Sequence, residues 1–337
     1  MSRDIPELDW SAIADPDSFK RDVAERCQPV VLRGACSDWP VVNAARESWG
    51  SLAGYLARLD SGVPGQAFIG DPEIAGRYFY GDDLEGFNFA REDLQVSDAL
   101  ERIGANAQSG AATLYMGSLP ADDHFPGFAE ENRLRLISPS VRPRVWIGNA
   151  SQVSCHFDTF ENIACVVAGR RRFTLFPPDC IGDLYVGPID NTMAGQPVGL
   201  AVGSAPGDSR YPRFERARDR ALVVELEPGD ALYLPKTWWH QVEAIEPVNM
   251  LVNYWWDAFS AGPDAPYLTM LLAMIAIAER PLAERSAWRA FFDHYVFRPE
   301  GHPLAHLPEN KRGVLGPLRP SNYGRIRAFV MRALRGG

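Results

Sequence analysis

The sequence predicts a mainly β-stranded fold with helices at both ends. Between residues 111 and 260, short apolar segments rich in β-branched and aromatic residues recur between glycines and prolines. Near the N-terminus and from residue 266 onward, apolar residues recur instead at helical spacing. The 337 residues, 46% of them hydrophobic, suffice for a sizeable core. Length alone allows two domains, but β-barrels with helical additions also reach this size as one unit.

The N-terminal third is predicted to alternate helices and strands. A helix begins after Asp15, because this N-capping residue precedes a proline and because Phe19 and Val23 follow at helical spacing. The remaining predicted elements of this part are strands over 29–34 and 66–70 and an amphipathic helix over 91–103.

The central part is predicted to be built from strands. An apolar run at 163–168, the turn residue Gly169 and a second apolar run at 173–176 predict strand, tight turn and strand, which we interpret as a hairpin. Residues 179–218 form a long polar stretch without strong periodicity, which is typical of a functional loop or an insertion. The other predicted strands are 113–117, 146–148, 231–234 and 250–256, followed by helices over 268–277, 284–292 and 323–334.

Composition narrows the classes of function. The five cysteines include no C-x-x-C pair, which argues against a disulfide framework or a zinc ribbon and favours a reducing cytoplasm. The net charge of −9 disfavours broad binding to nucleic acid or to anionic membranes. No run of 18 apolar residues exists and the N-terminus has no apolar signal core, so we expect a cytoplasmic protein without a membrane span.

A candidate metal site starts from His156 and Asp158. The two residues are two positions apart, so in an extended strand both side chains leave the same face. An imidazole and a carboxylate are two of the three ligands of a two-histidine, one-carboxylate iron site. An isolated H-x-D is more often a surface pair beside a turn, but this one stands at the entrance of the predicted hairpin.

The third ligand must come from elsewhere among the six histidines. His240 opens a predicted strand after two tryptophans and a short buried strand. A lone histidine of this kind is usually a hydrogen-bonded core residue. Because it follows a distant H-x-D, we interpret His240 as the third metal ligand.

The spacing of these motifs resembles that of the Jumonji C, cupin-like family of iron(II)- and 2-oxoglutarate-dependent oxygenases. The motifs are H-x-D followed by N-I-A-x-V-V-x-G-x-R-R-F-x-L-F-P-P, and then P-G-D-x-L-Y-L-P-x-x-W-W-H. Within the family, the nearest likeness is to the asparaginyl hydroxylase that modifies the hypoxia-inducible factor. The resemblance extends over about residues 29–256.

The resemblance implies a double-stranded β-helix, the jelly-roll barrel of cupins, that binds Fe(II) and the cosubstrate 2-oxoglutarate. It implies N-terminal helices and outer strands over 1–110, a catalytic barrel over 111–260 that includes the 179–218 loop, and a helical unit over 261–337. In related enzymes such a C-terminal unit forms a homodimer, and we expect the same here.

Arg171 occupies a position at which this chain departs from the related asparaginyl hydroxylase. That enzyme has a lysine at the second residue after the turn glycine, where it holds the far carboxylate of 2-oxoglutarate. Arginine can bind a carboxylate bidentately, so we expect Arg171 to hold the cosubstrate. Arg170 and Arg172 alternate to the opposite face of the strand.

Four further cosubstrate contacts are implied by the resemblance. The family places a tyrosine hydroxyl on the far carboxylate, which corresponds to Tyr115, and asparagines beside the cosubstrate, which correspond to Asn162 and Asn253. Where Val153 stands, the related enzyme has a threonine, and either Ser154 substitutes for that hydroxyl or the hydrogen bond is absent. Each asparagine alone is an ordinary polar residue on a barrel wall.

The expected activity is hydroxylation of a protein or peptide side chain, with conversion of 2-oxoglutarate and O₂ to succinate and CO₂. The alternatives are hydroxylation of a small molecule or of modified tRNA, removal of an N-methyl group, and a non-catalytic cupin binding module. The acidic net charge disfavours tRNA, and no histone-reader or basic-tail module accompanies the core. An intact metal triad argues against a module that only binds.

Overall fold

Chain contacts divide the protein into two units, one ending at Ala258 and the other beginning at Phe259. A computed structural model describes residues 4–81, 84, 86–110, 112–193, 195–260, 264–317 and 319–335. Segments 1–110 and 111–260, which are predicted from the sequence as separate regions, share one eight-stranded sheet.

The strands of the first unit form two sheets. They are β1 (Val30–Leu32), β2 (Gly65–Gly70), β3 (Arg77–Tyr78), β4 (Ala90–Leu94), β5 (Thr113–Pro120), β6 (Pro143–Gly148), β7 (Ser151–His156), β8 (Glu161–Ala168), β9 (Arg171–Phe176), β10 (Leu222–Leu226), β11 (Ala231–Leu234), β12 (Trp239–Ala244) and β13 (Asn249–Trp256). The strand order is β1-β11-β8-β13-β6-β5-β2-β4 in the eight-stranded sheet and β10-β9-β12-β7-β3 in the five-stranded sheet. Neighbouring strands are antiparallel except β3 and β7.

Helices cover the outer face of the eight-stranded sheet. The helices of the first unit are α1 (Pro16–Asp22), α2 (Pro40–Glu47), α3 (Trp49–Leu59), α4 (Val96–Ser109), α5 (Ala121–His124), α6 (Phe128–Glu131) and α7 (Phe214–Arg218), of which α7 lies instead against β9 of the five-stranded sheet. Asp15 begins α1 as predicted, since its carboxylate accepts a hydrogen bond from the backbone N–H of Ser18 at 2.7 Å. Apolar residues of α1 to α4 join the outward side chains of β8 in one cluster.

Strand β8 is buried on both faces. Ile163, Cys165 and Val167 pack among the helices, while Ala164 and Val166 pack against the five-stranded sheet. Burial on both sides explains why β8 is a continuous apolar run rather than an alternating one. The two facing, mainly antiparallel sheets form the predicted jelly roll.

The predicted hairpin at 163–176 is wrong. Strand β8 pairs with β11 and β13 in one sheet, whereas β9 pairs with β10 and β12 in the other. Gly169, with φ +69°, turns the chain from sheet to sheet. A local strand–turn–strand pattern is the same for a hairpin and for such a corner, and only long-range pairing distinguishes them.

The predicted helix over 91–103 begins too early. Residues Ala90–Leu94 form β4 at the edge of the eight-stranded sheet, paired with β2, and α4 starts only at Val96. Pairing with β2 therefore overrides the helical periodicity of this stretch, and Arg91 lies on a strand.

The second unit is helical, with α8 (Pro266–Ile277), α9 (Leu282–Phe292) and α10 (Pro320–Arg335). Helix α8 is apolar yet has no buried residue. In the part of the chain that the structure describes, no helix combines the length and the apolar character that crossing a membrane requires. The five cysteines are free.

Candidate active site

Direct pairing of β7 with β12 places the two histidines on one face of the five-stranded sheet, next to a β-bulge. His240 on β12 pairs with His156 on β7, but Val242 pairs with Val153, so β7 carries one extra residue between the two pairs. The ring centres of the histidines lie 4.3 Å apart. Both histidines project into the space between the sheets.

Backbone carbonyls orient both imidazole rings. Nδ1 of His156 lies 2.8 Å from the carbonyl oxygen of Ser154, and Nδ1 of His240 lies 3.0 Å from that of Trp238. A carbonyl only accepts hydrogen bonds, so each Nδ1 donates and each Nε2 is the ring nitrogen left to bind a metal. Burial lowers the pKa of His240 to about 4, so this ring is neutral at physiological pH.

Asp158 completes the group from the connection between β7 and β8. The potential ligand atoms of His156, Asp158 and His240 all lie within 4.8 Å of one another, and Asp158 Oδ2 lies 3.8 Å from His240 Nε2. Two imidazoles and one carboxylate on one side of a cavity fit a divalent metal of the iron type and leave coordination positions open.

The segment before His240 is hydrogen-bonded to the connection that carries Asp158 and to the start of β8. The backbone N–H of Thr237 donates to the carbonyl of Asp158 at 2.8 Å, and that of Lys236 donates to the buried Glu161 carboxylate at 3.1 Å. Thr237 adopts φ +68°, an unusual conformation for a β-branched residue. These hydrogen bonds hold the segment that leads to His240 beside the segment that carries Asp158.

The three residues open into a cavity of about 300 Å³ between the sheets. Its apolar lining includes Phe68, Phe173, Val242 and Leu251, and its polar lining includes Tyr115, Asn162, Arg171 and Asn253. The volume corresponds to roughly ten water molecules. A small dicarboxylate fits within it beside a metal.

Arg171 is buried in this cavity without a carboxylate partner. Its side chain is 8% exposed, no hydrogen-bond partner is found for Nε, and no described acidic residue lies within ion-pair distance. Burial lowers the pKa of Arg171 to about 10, which still leaves it charged at neutral pH. A buried cation without a partner is costly in free energy, so we expect this site to bind an anion.

The neighbouring arginines face the other way. Arg170 pairs with Glu246 at 2.7 Å, and Arg172 pairs with Glu225 at 2.6 Å, on the outer face of the five-stranded sheet. The strand therefore places one guanidinium inside and two outside, as its alternation predicts.

Other polar groups of the cavity wall also lack partners. No hydrogen-bond partner is found for Asn162 Oδ1 or for Trp255 Nε1, although both atoms are buried, and the two residues are direct cross-strand neighbours. Asn253 accepts a hydrogen bond from Trp146 Nε1 at 3.0 Å. Burial raises the pKa of Tyr115, which keeps its hydroxyl protonated as a donor. These groups fit a ligand that carries several oxygens.

Ser154 lies outside the cavity. Its hydroxyl donates to the carbonyl of Tyr78 at 2.6 Å, and Val153 takes the cavity-facing position. The bulge in β7 is the reason, because the extra residue reverses the alternation that would place Ser154 beside His156. The geometry thus does not favour a cosubstrate contact from Ser154.

Several wall residues were missed by sequence reasoning. Trp146, Trp255 and Gly117 line the cavity, and a side chain on Gly117 would collide with the rings of Trp146 and Tyr115. For Trp255 the signal was present, since it lies two residues after Asn253 on one strand face. Gly117 carries no comparable signal, because its role depends on packing across strands.

Comparisons with known proteins agree with this architecture. Residues 16–262 match the cupin-like domain family. The lysine-specific demethylase JMJ31 of Arabidopsis thaliana is 36% identical over 142 residues, which cover 42% of this chain and 24% of the relative. Human HSPB1-associated protein 1 is 32% identical over 151 residues, 43% of this chain and 30% of the relative. The chain thus matches less than a third of the length of these two relatives.

A third relative is matched over more of its length. The human bifunctional peptidase and (3S)-lysyl hydroxylase JMJD7 is 27% identical over 288 residues, which cover 75% of this chain and 84% of the relative. The family match includes both sheets and the His156, Asp158 and His240 cluster. The chain belongs to the cupin-like (JmjC) domain family.

Proposed function

We propose that the protein is an Fe(II)- and 2-oxoglutarate-dependent dioxygenase that hydroxylates a side chain of a protein or peptide. The observation that carries the proposal is the unpaired, buried Arg171 in the same cavity as the His156, Asp158 and His240 cluster. A metal-binding triad alone fits many activities. A triad together with a buried cation that requires an anion fits a metal-bound 2-oxo acid.

The triad would hold Fe(II) through His156 Nε2, the Asp158 carboxylate and His240 Nε2. The hydrogen bonds from both Nδ1 atoms to backbone carbonyls fix the rings for this task. With 2-oxoglutarate and O₂, bound iron supplies oxidation of a C–H bond, with succinate and CO₂ as co-products.

The cosubstrate would be held by Arg171 and Tyr115 at its far carboxylate, with Asn162 and Asn253 beside it. Arg171 supplies the opposite charge, and the protonated Tyr115 hydroxyl supplies a hydrogen bond. Phe173 and Leu251 exclude water from this part of the cavity, which strengthens the charge pairing. The related asparaginyl hydroxylase has a lysine in place of Arg171, so the cosubstrate is expected to sit differently here.

The relatives favour a protein or peptide substrate over a small molecule. The name of the human JMJD7 protein includes lysyl hydroxylase, and that of the Arabidopsis protein includes lysine-specific demethylase. N-methyl removal is the second candidate, because it uses the same site. The intact triad and the unpaired Arg171 disfavour a module that only binds, which requires neither.

Turnover of 2-oxoglutarate tests this proposal. Purified protein with Fe(II), ascorbate and 2-oxoglutarate is incubated with peptides from a cellular digest, while succinate and peptide masses are measured. We expect succinate together with peptides heavier by one oxygen, whereas demethylation would give formaldehyde and a lost methyl group. Absence of both 2-oxoglutarate binding and succinate formation would contradict the proposal.

We also propose that the C-terminal helical unit forms a homodimer. Five large apolar residues of α8 are exposed, and Ile275 is 83% exposed. A groove of about 890 Å³ runs along α10, lined by Val314, Ile326 and Phe329 among others. Apolar surface of this extent is typical of an interface.

Sedimentation is expected to give a dimer at micromolar concentration, and Ile275→Glu is expected to shift it toward monomer. A full chain that sediments only as monomer would contradict the proposal.

A further inference from the structure

Arg91 lies on the cavity face of the eight-stranded sheet. Arg91, Phe68 and Tyr115 are direct neighbours across β4, β2 and β5, so their side chains leave the same face. The guanidinium carbon of Arg91 lies 5.5 Å from the ring centre of Phe68, a cavity residue. Its Nη2 donates to the carbonyl of Met193, another cavity residue, at 3.2 Å. Arg91 is thus held at the rim of the cavity, and its guanidinium retains N–H groups that can donate to a ligand.

Arg144 occupies a similar position on β6. It lies two residues before Trp146, on the same strand face, and its guanidinium carbon lies 5.7 Å from the ring centre of Trp255. Nε and Nη2 donate to the hydroxyl and the carbonyl of Ser118, at 2.6 and 2.9 Å. Ser118 and both tryptophans line the cavity. Nη1 of Arg144 has no such bond among the described residues and remains able to donate.

Neither rim arginine has an ion-pair partner among the residues that the structure describes. Asp93 lies two residues from Arg91 on the same face of β4, opposite the cavity residue Gln66, but beyond ion-pair distance of Arg91. Burial lowers the pKa of Arg144, and the charge of the more distant Asp123 opposes this effect. Asp158 is the one carboxylate that lines the described cavity. In a protein of net charge −9, two arginines at one cavity that both lack an ion-pair partner in the described part of the chain are a local exception.

The cavity interior does not need these two charges. Under the proposed function, the divalent metal is balanced by Asp158 and one carboxylate of 2-oxoglutarate, and Arg171 balances the other carboxylate. The interior is then neutral, and Arg91 and Arg144 face whatever approaches from outside.

We infer that the substrate is a peptide segment with acidic residues flanking the oxidised residue, and that Arg91 and Arg144 bind those flanking carboxylates. This inference rests on the proposed function and specifies its substrate class. Planar guanidinium groups braced on aromatic rings are well suited to carboxylates, because little side-chain freedom is lost on binding. A segment rich in lysine or arginine would meet two like charges at the entrance.

Peptide charge preference tests the inference directly. The full chain, loaded with Mn(II) and 2-oxoglutarate, is titrated against fluorescein-labelled peptides of one length that are rich in glutamate, serine or lysine. A single-stranded RNA of similar length is the fourth probe. We expect the glutamate-rich peptide to bind most tightly, despite the protein's net negative charge, and its binding to weaken as salt is raised.

Charge-removing variants locate the preference. Arg144→Gln is expected to weaken binding of the glutamate-rich peptide about tenfold, since a charge-assisted hydrogen bond to a half-buried group is lost. Arg91→Gln is expected to weaken it about threefold, because this side chain is exposed. Arg26→Gln removes the same charge from an exposed position outside the cavity lining and is the matched control. If Arg144→Gln fails to fold because Ser118 loses its partner, the inference is tested by the binding of the glutamate-rich peptide to Arg91→Gln alone.

Three outcomes would overturn the inference. They are tighter binding of the lysine-rich peptide, tighter binding of the RNA than of the glutamate-rich peptide, and equal effects of Arg91→Gln and Arg26→Gln. Mn(II) and 2-oxoglutarate binding, measured in the same samples, separates the two proposals. If the wild-type chain binds neither, the proposed function fails, whereas normal binding of both without a charge preference defeats only this inference.

Discussion

Replacing Asp158 with alanine is expected to abolish 2-oxoglutarate turnover and to weaken metal binding by more than about 100-fold. The substitution removes the only carboxylate of the described triad and leaves two imidazoles. Loss of groups that merely support a metal ligand typically costs 10–100-fold, and a direct ligand is expected to cost more. Asp158 is a cleaner choice than His240, because His240 is buried and its removal also leaves a void.

Metal binding by the Asp158→Ala variant can be followed without catalysis. Mn(II) or Zn(II) should raise the melting temperature of the wild-type protein and leave that of the variant almost unchanged, since a ligand stabilises the state that binds it. Asp38→Ala, which alters an exposed aspartate, is the matched control. A variant with wild-type metal affinity would show that the triad is misassigned.

That the three residues of the candidate triad lie close together follows in part from the sequence, for physical reasons. His156 and Asp158 are close in the chain, so their proximity survives any error in the long-range pairing. His240 is brought to them by pairing of β12 with β7, which no local pattern reveals. The motif order shared with the family supplied that long-range information.

Features that depend on register are predicted less well. Strict alternation places Arg171 inside and its two neighbours outside, and the structure has the same arrangement. The family resemblance left open whether Ser154 contacts the cosubstrate, and strict alternation does not hold there, because a bulge in β7 inserts one residue and reverses the faces. Sequence alone did not mark this bulge. Its presence depends on how β7 and β12 pair around the two histidines.

Replacing Arg171 with alanine is expected to weaken 2-oxoglutarate binding by roughly two to three orders of magnitude. A buried carboxylate that loses its charge partner typically costs about 3–5 kcal/mol, at about 1.4 kcal/mol per tenfold change in affinity. Arg171→Lys should recover only part of the affinity, because a point charge replaces a planar fork. Metal affinity should hardly change, since the triad is untouched. Calorimetry with 2-oxoglutarate and Mn(II) measures both quantities.

The flanking arginines provide the control for Arg171. Arg170→Ala and Arg172→Ala break ion pairs with Glu246 and Glu225 on the outer sheet face, and should leave 2-oxoglutarate affinity within about twofold of wild type. If Arg171→Ala binds the cosubstrate normally while Arg172→Ala does not, the assignment of the cosubstrate site is wrong.

Removal of the Arg171 charge should weaken cosubstrate binding but increase the stability of the ligand-free protein. The charged guanidinium is buried without a partner, which destabilises the folded state in the absence of an anion. Arg171→Met replaces the charged guanidinium with an apolar side chain about as long as the aliphatic stem of arginine, so we expect it to raise the free energy of unfolding by roughly 1–3 kcal/mol. Saturating 2-oxoglutarate with Mn(II) should stabilise the wild type and not this variant. Urea denaturation with and without the cosubstrate measures the free energy of unfolding of both proteins under both conditions. A buried arginine that merely supports the fold would give a less stable variant under both conditions.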